Sequence, residues 1–329
     1  MIKKNPSSPL VSVCCITYNQ AHYIEKALQG FLMQKTNFSF EIIVHDDAST
    51  DQTAEKIEAL ASRNQGLIFP RYQTENQYSK GIPVFAEFNF KQARGKYLAL
   101  CEGDDYWTDQ TKLQWQVDFL EQNPDVAMCT HEVFLNIDTD KGVRSLRKKL
   151  AVLLRHFSLY GINAAAKIAI SSAIGKSAIE SFDLTHRSSI RKKSGEIYSL
   201  DDLSNGATHM STCSMVVRKS VIDSFLDAFY VTPRGAHQLL LLMAAISGGI
   251  AHFHKIAAVK NDQPTSVTQC DKRRALNRRL GASRETNERL KRYHYFLTKD
   301  LSRADKAIFE EMVKAEEKKI DRLKMSNRE

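Results

Sequence analysis

No stretch of this 329-residue chain reaches the roughly 18 consecutive apolar residues that crossing a bilayer requires. The nearest, Leu239–Ala251, is too short and is broken by Ser247, Gly248 and Gly249. It reads as a buried helix followed by a turn. The opening residues, MIKKNPSSPL, lack the apolar middle of a secretory signal, so a cytoplasmic location is expected. The six cysteines, at 14, 15, 101, 129, 213 and 270, show no zinc-like pairing. Four lie in apolar, strand-like runs and read as reduced core thiols. No G-x-G-x-x-G or G-x-x-x-x-G-K-[ST] loop follows any strand, which excludes phosphate cradling of those two kinds. Internal repeats and low-complexity tracts are also missing. Acids are absent from Lys141 to Ile179, where eight Lys and Arg fall in a chain of formal charge +9. That imbalance points to an anionic neighbour: a phosphorylated lipid, a membrane surface or a nucleic acid. No recognition motif supports the last of these, and no nucleic-acid partner is expected.

What is present is ordinary globular composition, 43% hydrophobic and 26% charged, long enough for one large or two medium domains. The first 135 residues alternate strand and helix signals. Leu10–Thr17 is a β-branched apolar run; residues 22–34 carry Ile24, Ala27, Leu28, Phe31 and Leu32 at helical spacing. Glu41–Val44 is a second strand, and 51–62 a helix for which Ser49 and Gln52 offer a capping box. Leu67–Tyr72, Lys96–Cys101 and Val126–Leu135 are further strands, with a helix over 109–122. Alternation with short connections predicts an α/β fold with a mostly parallel sheet and helices on both faces. Residues 146–180 have helical spacing, 183–199 are loop-like, and charged helices are expected after about residue 270.

One junction carries the most chemical information. The apolar run ending at Cys101 meets three carboxylates, Glu102, Asp104 and Asp105. Acids at the carboxyl end of a buried strand sit where open α/β sheets bind ligands. Hard oxygen donors so closely spaced suit Mg²⁺ or Mn²⁺, which usually share coordination with substrate phosphates. The same acids can equally be a solvated turn.

Taken in order, PLVSVCCITYNQ, EIIVHDDASTDQT, ARGKYLALCEGDDYW and TDQTKLQWQVDFL resemble family 2 glycosyltransferases of GT-A fold, in the branch that builds bacterial surface polysaccharides. The resemblance covers residues 9–135 and returns more weakly over 202–268. It implies a nucleotide-sugar donor, with uridine diphosphate as carrier. Thr17, Tyr18 and Asn19 would line the base pocket; Asp46 and Asp47 would accept hydrogen bonds from uracil or ribose. Glu102-Gly103-Asp104-Asp105 resembles the family's DXD motif. There Asp105, Asp104 and Glu102 would hold a divalent cation (Mg²⁺ or Mn²⁺), Asp104 would also reach the ribose, and Gly103 would let phosphate approach. Trp107 packs either beside the donor sugar or in the core.

The resemblance implies inversion by direct displacement, with a carboxylate as base. In relatives that Asp lies in a P-x-G-D-W segment; here Pro233-Arg234-Gly235-Ala236-His237 stands in its place. With Ala236 at the base position, His237 becomes a candidate base, its ordinary pKa of about 6.5 suiting the task; Asp202 and Asp201 are others. The family's Tyr-Arg-x-His segment reads Lys260-Asn261-Asp262-Gln263, leaving Asp262 as a possible oxygen ligand. The implied organisation is 1–137 for the nucleotide-sugar half, 138–200 a basic insertion, 201–268 the acceptor half and 269–329 charged helices. A glycan or polyprenyl-phosphate-linked acceptor is expected. So is peripheral contact of the basic block 141–179 with anionic lipid at the inner membrane face, against a solvated acceptor-domain helix. The alternative is a degenerate relative that binds a sugar nucleotide or a partner transferase without catalysis.

Overall fold

The computed structural model describes residues 8–137, 182–184, 192–204, 210–231 and 236–262, with short helical pieces between 306 and 321. The basic block 141–179, residues 232–235 and most of the expected C-terminal helices lie outside the described residues.

The leading strands form where apolar residues run unbroken. They are β1 (Val11–Thr17), β2 (Phe40–Asp46), β3 (Ile68–Tyr72) and β4 (Tyr97–Glu102), hydrogen-bonded in the order β3-β2-β1-β4 and all parallel. Between them lie α1 (Ile24–Leu32) and α2 (Thr53–Arg63). Then follow the two-residue β5 (Tyr106–Trp107), α3 (Lys112–Gln122), β6 (Met128–Ile137), β7 (Phe182–Leu184), β8 (Ile197–Tyr198) and the short α4 (Leu200–Ser204). The chain continues through β9 (Val216–Arg218), α5 (Lys219–Ser224), α6 (Ala228–Val231), α7 (Ala236–Ile246) and β10 (Ile250–Asp262). Inside the sheet β9 runs antiparallel, between β4 and β6, and β10 lies parallel to β6, while the short β5, β7 and β8 pair antiparallel with β10, β6 and β10. Two antiparallel steps restore direction. The carboxyl ends of β1, β2, β4 and β10 therefore share one edge.

Both faces of the sheet are covered, which is why its strands are apolar throughout. Alternate residues of β1 divide between two cores: Val11, Val13 and Cys15 face α1 and α3, whereas Cys14 faces α7. Ile24, Ala27, Leu28 and Phe31 of α1 are buried, and each large side chain contributes about 1.5–3 kcal/mol. Helix α7 is buried from Leu239 to Ala244, so it needs no amphipathic stripe. It ends at Ile246, and the turn follows where Ser247, Gly248 and Gly249 mark it in the sequence. Ile250 and Ala251 open β10, because Gly248 and Gly249 take positive φ and reverse the chain against Asp125 and Tyr198. All five cysteines among the described residues are buried free thiols, as expected.

One buried group is unfavourable. Lys112 is fully buried, its Nζ 4.1 Å from the Trp107 ring centre and without a hydrogen-bond acceptor. Burial lowers its pKa to about 8. A lysine that binds its proton less tightly when folded destabilises the fold below that pKa, and the penalty fades as pH rises from about 8 toward 10.5. The shift corresponds to about 3 kcal/mol, part of which the cation–π contact returns. Lys112→Met is expected to stabilise the protein by about 2 kcal/mol at pH 7 and by almost nothing near pH 10.5. Urea unfolding at both pH values measures the difference.

Candidate functional site

Thr17, Asp46 and Glu102 are the last residues of β1, β2 and β4, and backbone bonds join the loops beyond them. The Asp47 N–H donates to Thr17 O at 3.0 Å and the Gly103 N–H to Ile16 O at 2.8 Å. The two clusters singled out in the sequence thus meet at one edge.

In the first cluster, one carboxylate oxygen from each of Glu102, Asp104 and Asp105 lies within 4.8 Å of the others. Asp105 is 1% exposed. Its Oδ1 accepts the Asn261 N–H at 2.8 Å, while buried Oδ2 has no hydrogen-bond partner. Burial, then the charges of Asp104 and Glu102, push its pKa well above the usual carboxylate range. Burial and the Glu102 carboxylate push Asp104 up to about 7. Crowded acids with an orphaned oxygen are what a hard divalent cation relieves, so the donor set fits Mg²⁺ or Mn²⁺. Gly103 also answers to local packing. A Cβ would stand 2.7 Å from Gln20 Oε1 and 2.8 Å from Thr17 Oγ1. Those two side chains bond each other at 2.7 Å, and Gln20 also bonds Asp104.

The second cluster is an interlocked pair of loops. The N–H groups of Asn19, Gln20 and Ala21 donate to Ser49 Oγ, Thr53 Oγ1 and Asp51 Oδ2 at 2.8, 2.9 and 3.0 Å. Asn19 Oδ1 in turn accepts the Thr50 N–H at 2.7 Å. Ser49 is therefore no helix cap. Its hydroxyl donates to Asp46, and Asp51 accepts the Thr53 N–H instead, so the expected capping box does not form. Asp46 and Asp47 are 2% and 4% exposed. Asp47 accepts the N–H groups of Gln77 and Tyr78 at 2.8 and 3.0 Å, with His45 Nε2 at 3.3 Å. These carboxylates shape the loops, placing the exposed rings of Tyr18 and Tyr78 around the edge. Ala48 is held at φ 63°, a left-handed conformation disfavoured for any residue with a Cβ. Ala48→Gly is expected to add about 1 kcal/mol of stability, read as a raised urea midpoint.

A cavity of about 180 Å³ opens beneath Glu102, with Ile16, Tyr78, Thr212, Ala236 and His237 also in its walls. His237, at the start of α7, donates its Nε2–H to the Met210 carbonyl, which leaves Nδ1 as the ring's acceptor. Asp202 is elsewhere. Its Oδ2 takes Lys192 Nζ at 2.6 Å and the Ser199 N–H and hydroxyl at 2.7 and 2.8 Å, which caps α4. That helix follows β8, which pairs with Ile250 and Ala251 at the start of β10, whereas Asn261 at the far end meets Asp105. Asp202 is a structural cap, not part of this site. Trp107 is a core residue: 2% exposed, its Nε1–H donates to Cys213 O at 2.9 Å. The Asp262 side chain lies outside the described residues. Reasoning from the sequence missed Gln20, Lys260 and Asn261, although a polar pair closing the apolar run of β10 was a usable signal.

Comparisons with known proteins agree with this geometry. A 125-residue segment is 46% identical to the uncharacterized protein Rv1520 of Mycobacterium tuberculosis, covering 37% of this chain and 35% of that one. A 112-residue segment is 34% identical to the Escherichia coli UDP-Glc:alpha-D-GlcNAc-diphosphoundecaprenol beta-1,3-glucosyltransferase WfaP, covering 34% of this chain and 41% of WfaP. The matches thus span well under half the length of these curated relatives. Among solved structures, Staphylococcus aureus TarS 1-349 in complex with UDP superposes with a TM-score of 0.57 at 17% identity, over 92% of this chain and 70% of that one. The fold is thus the GT-A fold expected from the sequence. The model of "Glycosyl transferase family 2" matches residues 12–223, and with strand ends, acid triplet and sheet order in agreement, the chain belongs to that family.

Proposed function

We propose that this protein transfers a sugar from a nucleoside diphosphate, UDP by preference, to a hydroxyl of a growing bacterial surface glycan, with inversion and with a divalent cation. The observation that carries the reading is the convergence of Glu102, Asp104 and Asp105 beside the Thr17–Gln20 loop, on one edge of the sheet. Its relative WfaP is named for a UDP-glucose donor and a diphosphoundecaprenol-linked acceptor, which supports both substrate classes. Tyr18 offers an exposed ring face to the base, and the backbone around Asn19, held open by Asp46, Asp47, Ser49 and Thr50, frames the ribose.

Glu102, Asp104 and Asp105 would hold the cation, which when bound supplies positive charge to the leaving diphosphate. Asp105 Oδ2 is its first ligand, because that oxygen is buried without another partner. His237 Nδ1 takes the acceptor proton, while the bond from Nε2 to Met210 O fixes the ring and its tautomer. A peripheral seat on anionic lipid at the cytoplasmic face suits a polyprenyl-linked acceptor. No helix among the described residues is long and apolar enough to cross a membrane.

Incubation with Mn²⁺ and a panel of nucleotide sugars should release free nucleotide from one donor, most from a UDP-sugar. The second reading, a non-catalytic binding relative, is favoured by Ala236 at the cavity wall where relatives carry their base. It predicts donor binding with no release from any member of the panel, even with acceptor glycans present.

A further inference from the structure

We propose that the donor sugar carries an acetamido group, and that the cavity beneath Glu102 is the subsite that selects it. This names the sugar class within the nucleotide-sugar reading and rests on that reading.

The cavity begins at the acid loop. Glu102 stands in its wall, and Ile16, also in the wall, accepts the Gly103 N–H at 2.8 Å through its carbonyl. His237 enters from α7. A sugar joined through its anomeric carbon to a diphosphate at the acids therefore has this space beside it. Its size limits what enters. An apolar cavity of about 150 Å³ takes up one six-membered hydrocarbon ring. At about 180 Å³ this one has room for one sugar ring or for part of it with a substituent, and not for two sugars.

The lining is graded from polar to apolar. Tyr78, Glu102 and His237 are exposed or half-buried, whereas Ala86, Phe229 and Leu240 are buried. Leu240 lies one turn along α7 from Ala236 and His237, so the same helix face supplies both ends. Phe90 packs edge-on against Phe229, 5.5 Å between ring centres, and holds that floor in place. Among the described residues of the wall, Thr212 is the polar side chain that is buried. A sugar hydroxyl pushed into the apolar end loses water and gains too few partners in exchange. An acetamido group presents what this end can satisfy. Its amide has the Thr212 hydroxyl as a partner, which can donate or accept, and its methyl has Phe229 and Leu240.

Calorimetry on the full chain in Mn²⁺ tests this with uridine diphosphate and three of its sugar conjugates, in both the gluco and galacto series: the plain hexose, the N-formylhexosamine and the N-acetylhexosamine. The N-formyl sugar keeps the amide and lacks only the methyl. In one series the N-acetyl conjugate is expected to bind at least about tenfold more tightly than the N-formyl one, the low end of what a methyl is worth in an apolar pocket. The plain hexose should bind more weakly than either. Thr212→Val should narrow the preference for N-acetyl sugar over hexose severalfold, and Thr212→Ser should keep it. Equal affinity for N-acetyl and N-formyl conjugates in both series, or tighter binding of a plain hexose, would overturn the proposal, and this comparison requires no variant to fold. If uridine diphosphate still binds in that case, the nucleotide-sugar reading stands without it. Failure of uridine diphosphate itself to bind would remove that reading and this inference together.

Discussion

Asp105→Asn is expected to abolish Mn²⁺-dependent binding of a uridine diphosphate sugar and to cut turnover by at least about 10²-fold, while the metal-free protein melts no lower than the natural one. Two features of the site give that opposed pair of outcomes. Asn keeps the volume of Asp and an oxygen for the Asn261 N–H, so β10 stays fastened. It removes a buried charge whose ionisation burial, Asp104 and Glu102 all oppose. The fold therefore loses a repulsion and the site loses the most buried of the oxygens proposed to hold the cation. Sites that trade stability for function behave this way. Melting with and without Mn²⁺ separates the effects: the natural protein should gain stability from the ion, by mass action, and the variant should not. Unchanged donor affinity in Mn²⁺ would remove Asp105 from the metal site.

His237→Ala is expected to lower kcat by about 10²- to 10⁴-fold, the usual worth of a general base, with donor binding held within about twofold. The imidazole reaches the same cavity as Glu102, but from the opposite half of the chain, on the first turn of α7. Its Nε2 is occupied by the Met210 carbonyl, so only Nδ1 can accept a proton. Restoring a carboxylate beside it tests the assignment from the other direction. If His237 is the base, Ala236→Asp gives at most a few-fold gain. An increase of orders of magnitude would show instead that the natural chain lacks a working base, and the non-catalytic reading would gain.

The strands were legible because their cause is local. β1, β2 and β4 are buried on both faces, so they read as unbroken apolar runs, and the polar residues that end them mark the sheet edge. Parallel alternation follows from short connections, and it places those ends together before any coordinates are known. The three acids that converge at that edge were readable for the same reason. The capping error has a local cause too: Ser49 is drawn to Asp46 instead of capping α2.

Partner choice was not legible. Asp47 binds amides 30 and 31 residues away, and Asp105 meets Asn261 across 156 residues. Asp202, chemically as good a base as any, is spent on capping α4 next to Lys192. The sequence by itself determined the sheet, the edge that carries the candidate site, and the acids at that edge, because periodicity and burial act over a few residues. Only the tertiary structure decided which polar groups are already satisfied and which remain for a ligand. A carboxylate's role depends on the donors that reach it, and those come from distant loops whose meeting no spacing records.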